Sequence, residues 1–403
     1  MPAGFAYEVP RVTSSASRNG KTASPAAMVL LVAALVLAAC AGRPGPGSLL
    51  ETQADAPGAT AHEILIATTR KRDTTRGSLF SGERGGGLDH AVATVSVPPE
   101  HKPGAIEWPS IPPGDPAKDF TLRSASYLDD KGFSAELERQ LAKRPKGKRE
   151  VFVFVHGYNT RFPEALYRMT QLKHDSNMPS VPVLFTWASS GDVTGYLYDT
   201  NSATIARDSL ERTLRVLAAS SADRINVLAH SMGNWVLTET VRQIRISGKP
   251  LPAHKIGLMA MAAPDVDVDV FKAQLRRTGK PERPYVILIS RDDRALQASS
   301  LLAGGERLGA YGDEEELAKL GAVVVDLTEV KGDDAVNHGK FAQLAQVAPE
   351  LGQALQSLEL QQQSGPTETT LDVVGNTVGN TAKAAVTFPL KILAAPINIL
   401  SGR

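Results

Sequence analysis

The chain has 403 residues and a single cysteine, Cys40. No disulfide can form within it, and no zinc site built on cysteines is possible. Lysine and arginine number 44 against 43 acidic residues, a formal net charge of +1. That balance lacks the bulk basicity of a nucleic-acid binder. No internal repeat is visible. The glycine-rich "SGERGGGLD" lacks the Lys-Ser/Thr of a phosphate loop and does not join a strand to a helix, so it does not read as a nucleotide site. Long apolar runs are also missing. "MVLLVAALVLAAC", Met28 to Cys40, is short for a membrane-spanning helix. What remains is ordinary: 42% hydrophobic and 22% charged residues, enough to bury a sizeable core.

The apolar run is informative for where it sits. Arg11, Arg18 and Lys21 precede it, and small residues close it. That is the pattern of a secretory signal, expected over residues 1–39. Leu37-Ala38-Ala39-Cys40 resembles the bacterial lipobox, which implies lipidation of Cys40 and an anchor in the cell envelope. Ala41 is not the aspartate associated with inner-membrane retention, so the outer membrane is the expected location. Residues 40–60, rich in Gly, Pro and small polar side chains, read as a flexible tether.

"HEILIATTR" reads as a strand, and "HAVATVSVPP" alternates as a half-exposed antiparallel strand does. From Arg149 the texture changes. "VFVFVH", "VPVLFTW", "INVLAH", "KIGLMAM", "YVILIS" and "AVVVDL" are continuous apolar runs, as in parallel strands covered on both faces. Amphipathic segments of helical length lie between them. The expected fold is α/β: a mostly parallel, doubly wound sheet with helices on both faces and antiparallel strands at the N-terminal side, over residues 61–360. The tail 361–403 is apolar but broken by Pro389 and Pro396. It should pack on the domain or lie at a membrane surface.

In such sheets reactive groups gather beyond the carboxyl ends of the strands. "INVLAHSMGNW" ends its strand at Ser231, between small residues, and then turns into a helix. "KIGLMAMAAPDVD" ends near Asp265. "YVILISRDDRAL" ends at Asp292 and Asp293. "AVVVDL" leads to a loop holding His338. Serine, acid and histidine in that order suit nucleophilic acyl transfer. Ser231 would attack, His338 would take its proton, and an aspartate would orient the imidazole. Asp265, Asp292 and Asp293 all compete for that last role, because Asp293 could equally cap the helix after it. The oxyanion would bind the backbone N–H of Met232 and of Tyr158, in the loop after "VFVFVH". His156 and His230 read as structural. Asp265, Asp267 and Asp269 alternate, but no glycine or closing glutamate makes them a calcium loop, so no metal is expected.

These stretches, with "PVLFTWAS", "NVLAHSMGNWVLTETVRQ" and "ISRDDRALQASSLLAGGERLG", together resemble a bacterial α/β-hydrolase family of esterase/lipase-superfamily proteins with unassigned function. The resemblance runs from about Glu63 to Leu344. It implies Ser231 as nucleophile, Asp293 as acid and His338 as base, with no cofactor. The leading Gly of the usual G-x-S-x-G is Ala229 here. An ester hydrolase is expected. An amidase or acyltransferase on the same groups, or a non-catalytic envelope protein, would share these features. The expected partners are a small or lipid ester and a membrane, reached through Cys40.

Overall fold

The computed structural model describes residues 43–279, 281, 283–332, 334–348, 367–379 and 382–394. The leader 1–39 and Cys40 lie outside the described residues. Eleven strands form one sheet in the order β10-β11-β9-β8-β7-β6-β4-β5-β1-β2-β3. They are β1 (Thr60–Arg72), β2 (Phe80–Val97), β3 (Thr121–Leu128), β4 (Glu150–Val155), β5 (Val181–Thr186), β6 (Arg224–His230), β7 (Ile256–Ala262), β8 (Tyr285–Ile289), β9 (Ala322–Asp326), β10 (Thr367–Gly379) and β11 (Ala382–Ala394). From β9 across to β1 every neighbour is parallel. β2 and β3 add antiparallel strands on the N-terminal side.

Helices α1 (Asp130–Ala142), α2 (Phe162–Asp175), α3 (Tyr196–Ala219), α4 (Gly233–Ile246), α5 (Val268–Thr278), α6 (Arg294–Ala303) and α7 (Glu314–Lys319) connect the parallel strands or flank them. β4 shows why its run is continuous. Val151, Val153 and Val155 enter one buried cluster with Leu210 and Leu214 of α3 and Leu237 of α4. Phe152 and Phe154 enter the cluster on the other face, with Leu166 and Met169 of α2. Each such side chain contributes about 1.5–3 kcal/mol of burial. Among the described residues no helix is long and apolar enough to cross a membrane.

One segment differs from the sequence reading, and the tail takes one of its two expected places. Residues 43–60, expected as a flexible tether, lie against the domain. Leu49 is buried, the Tyr167 hydroxyl donates to Ser48 O at 3.0 Å, and Thr52 N donates to Leu122 O at 3.0 Å. Gly and Pro lowered the apparent order of this stretch, but its few apolar side chains find a groove. The tail does not form a separate unit. β11 pairs antiparallel with β9 from Lys391 opposite Asp326 to Ala394 opposite Val323, and β10 pairs with β11. The hairpin covers the backbone edge that β9 would otherwise expose.

The glycine-rich stretch also has a place. It lies within β2, where a Cβ on Gly82 would come within 2.8 Å of Ser190 O, and one on Gly85 within 2.9 Å of Arg70 O. The bare backbone lets the β1–β2 hairpin close onto the loop after β5.

Candidate active site

Ser231 ends β6 at φ +52°, in the left-handed region. A non-glycine residue there costs on the order of 1–3 kcal/mol, so its surroundings must impose it. They do. Ser231 N donates to Ala262 O at 3.0 Å, while Ser231 O accepts from Asn234 N at 3.1 Å and Asp265 N at 3.2 Å. The Asn234 side chain adds bonds to the carbonyls of Ala229, Ser231 and Ala262. Close approach demands small residues. A Cβ on Gly233 would meet His156 O at 2.5 Å, and one on Gly157 would meet Ser231 Cβ at 2.7 Å. Ala229 is fully buried at the position where glycine is usual.

Gly157 thus sets the loop after β4 directly against the serine. That loop is held from below by Arg70 of β1, only 1% exposed. Its guanidinium donates to Thr160 O (2.7 Å), Thr186 Oγ1 (2.8 Å), Ser189 O (3.0 Å) and Ser81 O (3.1 Å). Burial lowers its pKa to about 10, so it stays charged at neutral pH. Asp199, fully buried in α3, accepts from Asn159 N (3.0 Å), Ser189 Oγ (2.5 Å) and Ser190 N (2.7 Å). His156 stacks on Trp187 with centroids 5.0 Å apart. Its Nδ1–H donates to Gly157 O at 2.9 Å, and burial holds its pKa well below the ordinary value. It is neutral and structural. The Tyr158 hydroxyl donates to Val193 O, tying the two loops together. Neither Tyr158 N–H nor Met232 N–H donates to a described residue. Both stay available beside Ser231.

His338 follows β9, and Asp293 follows β8. His338 Nδ1 and Asp293 Oδ2 are 2.6 Å apart. A carboxylate can only accept, so the proton sits on Nδ1 and Nε2 keeps its lone pair. Burial opposes charge on the imidazole. The Asp293 charge and hydrogen bond, with Asp265 and Asp334 beyond, outweigh it and raise the His338 pKa above the ordinary 6.5. Asp334 cradles the loop by accepting from the N–H groups of Val336, His338 and Gly339. His230, kept neutral by burial and by the neighbouring His338, donates Nε2–H to His338 O at 3.1 Å. Ser231 Oγ itself makes no hydrogen bond to a described residue.

The other candidate acids lie elsewhere. Asp292 accepts from Lys340 Nζ (2.7 Å), Ser290 Oγ (2.5 Å) and Asn337 Nδ2 (2.9 Å). It braces the histidine loop without touching the imidazole. Asp265 is buried, accepts from Ser299 Oγ at 2.6 Å and faces Arg307 Nε at 3.5 Å. Asp267 caps α5 through Asp269 N and Val270 N, and Asp269 lies in its first turn. Among the described residues no three potential ligands are grouped to hold a metal.

Trp187 is fully buried, and Tyr196 and Tyr198 lie in the first turn of α3. Arg161 donates to Pro44 O and precedes α2. Arg70 and Asp199 were not identified as site residues from sequence, although the "TTR" ending of the first strand was a visible signal. A cavity of about 730 Å³ between Arg72, His90, Tyr127 and Asp130 does not contain Ser231. In its lining Arg72 pairs with Asp89, and His90 Nδ1 lies 3.4 Å from Asp130 Oδ1.

No curated protein matches the chain. Among solved structures, a crystal structure of a mutant of the esterase rPPE covers 81% of this chain and 94% of its own. At 13% identity and a TM-score of 0.33 it carries no argument about function. A family described as "alpha/beta hydrolase of unknown function (DUF900)" matches residues 130–356. That span exceeds half of the chain and includes Ser231, Asp293 and His338; the protein belongs to this α/β-hydrolase family.

Proposed function

We propose that the protein is a serine hydrolase that cleaves carboxylic esters through Ser231, His338 and Asp293. The observation that carries this reading is the 2.6 Å contact of His338 Nδ1 with Asp293, with the His338 ring 4.6 Å from that of His230, the residue before a serine held at positive φ. His338 Nε2 takes the Ser231 proton as Oγ attacks the acyl carbon. The oxyanion collects at the N–H groups of Met232 and Tyr158. His338 then gives its proton to the leaving alcohol, and water repeats the sequence on the acyl-enzyme. The reaction needs no cofactor. We further read Cys40 as lipidated, on its sequence context alone, which would hold the enzyme at the bacterial envelope.

A fluorophosphonate probe should label the protein at Ser231, and Ser231→Ala should abolish labelling. Labelling that persists in the variant would overturn the assignment. A panel of short- and long-chain aryl esters then reports the acyl preference.

A further inference from the structure

The loop after β4 spends its N–H groups in a telling way. Asn159 N donates to Asp199 Oδ2 at 3.0 Å, Thr160 N to Ser189 Oγ at 2.9 Å and Arg161 N to Glu164 Oε2 at 2.7 Å. Of four successive N–H groups, that of Tyr158 alone has no partner among the described residues. It adjoins Gly157, whose Cα lies so close to Ser231 that an added Cβ would meet the serine Cβ at 2.7 Å.

The carbonyls of the loop are held from two sides. Thr160 O accepts from Arg70, and Asn159 O accepts from a second guanidinium, that of Arg43, at 2.8 Å. Arg43 Nη1 also donates to Asn159 Oδ1 (3.0 Å) and to Gly191 O (3.2 Å). Its Nε and Nη2 meet the two Glu164 oxygens at 2.7 Å each. One planar fork thus joins the loop after β4, the first turn of α2 and the loop after β5. The bidentate pair is mostly shielded, with 17% of the Arg43 side chain and 20% of the Glu164 side chain exposed. Such a pair holds geometry better than an ion pair on open surface. Asn159 needs that hold. Its φ of +53° lies in the left-handed region, which a residue with a side chain keeps only when its surroundings impose it.

We propose that Arg43 is a positioning residue for the oxyanion site: it locks Asn159 and thereby sets the direction of the neighbouring Tyr158 N–H. The segment that packs on the domain through Leu49 and the Ser48 and Thr52 backbone is then part of the working site. Arg43 acts on the transition state and leaves substrate binding alone. This rests on the serine-hydrolase reading.

The test uses the full chain and a soluble aryl ester. Arg43→Ala should lower kcat by about 10- to 100-fold with KM little changed, as expected when an oxyanion donor is misplaced. A trifluoromethyl ketone gives a second readout. Its carbonyl oxygen becomes an oxyanion when Ser231 Oγ adds to the carbon and His338 takes the proton. Arg43→Ala should weaken its binding by the factor lost from kcat/KM. Arg43→Lys supplies one point charge in place of the fork and should also lose rate. Arg123→Ala is the control. Arg123, on the edge strand β3, ties the same segment further along, at Ala54 O (2.6 Å) and Asp55 Oδ1 (3.0 Å). Its loss should leave kcat unchanged. A kcat for Arg43→Ala equal to that of Arg123→Ala overturns the proposal, and so does a rise in KM at unchanged kcat. If the unaltered protein turns over no ester, the hydrolase reading falls instead, and amide hydrogen exchange decides the positioning alone. Residues 157–161 should exchange severalfold faster in Arg43→Ala than in Arg123→Ala. Equal exchange in the two variants overturns it.

Discussion

Asp293 divides its carboxylate between a helix and a histidine. Oδ1 accepts from Leu296 N at 2.9 Å and starts α6, while Oδ2 meets His338 Nδ1 at 2.6 Å. Capping and orienting looked like rival explanations of this residue, yet the two oxygens serve both. Asp293→Asn keeps a good cap but presents an amide to the imidazole. It should lower kcat by about 10⁴-fold with little change in melting temperature. Asp293→Ala should lose the cap as well, about 1 kcal/mol by thermal denaturation.

Asp265 offers a contrast. Its carboxylate bonds Ser299 and faces Arg307, but its charge still reaches His338. Catalysis needs neutral His338, whose pKa lies above 6.5. The acid limb of kcat/KM should therefore lie above the ordinary histidine value, with activity rising as pH rises through it. Asp265→Asn removes one of the charges that raises this pKa. The limb should move to lower pH, with kcat at its plateau reduced by no more than about tenfold, or 1.4 kcal/mol. A rate loss matching that of Asp293→Asn would show that Asp265 is the orienting acid.

Arg70 should matter for activity without touching the serine. Arg70→Met leaves Thr160 O and Ser189 O without their buried donor, at roughly 1–3 kcal/mol for each unsatisfied group. Arg70→Lys cannot reproduce the fork and should recover little. Both variants should slow the proposed ester hydrolysis through the loop after β4, read as a fall in kcat at preserved secondary structure by circular dichroism.

His101 sets a pH signature on stability. It is nearly buried and lies between Glu107 Oε2 and Asp175 Oδ1, each at 2.8 Å. Burial lowers its pKa, but the two carboxylates prevail and raise it to about 9. The folded state holds the proton more tightly than the unfolded chain. The stabilisation is therefore full below about 6.5 and is lost as pH rises towards 9. His101→Gln should be destabilised by roughly 3–5 kcal/mol at pH 6. Urea unfolding at pH 6 and pH 9 should show the gap between His101→Gln and the unaltered chain shrinking.

By itself the sequence determined the parallel sheet and the order of reactive groups along it. Continuous apolar runs such as "VFVFVH" are stable only when both faces are covered, and a serine between Ala229-His230 and Met232-Gly233 marks a sharp turn. Only the tertiary structure decided which carboxylate touches His338. Asp265, Asp292 and Asp293 all follow parallel strands, and a difference of one residue or one strand becomes a difference in direction only after packing. The "TTR" ending of the first strand was visible, but the bracing role of Arg70 was not, because β1, far away in sequence, comes beside β5 only when the sheet assembles. The tail was ambiguous for the same reason. Its apolar stretch could have met a membrane, and it becomes a strand because β9 presents an open backbone edge for it to join.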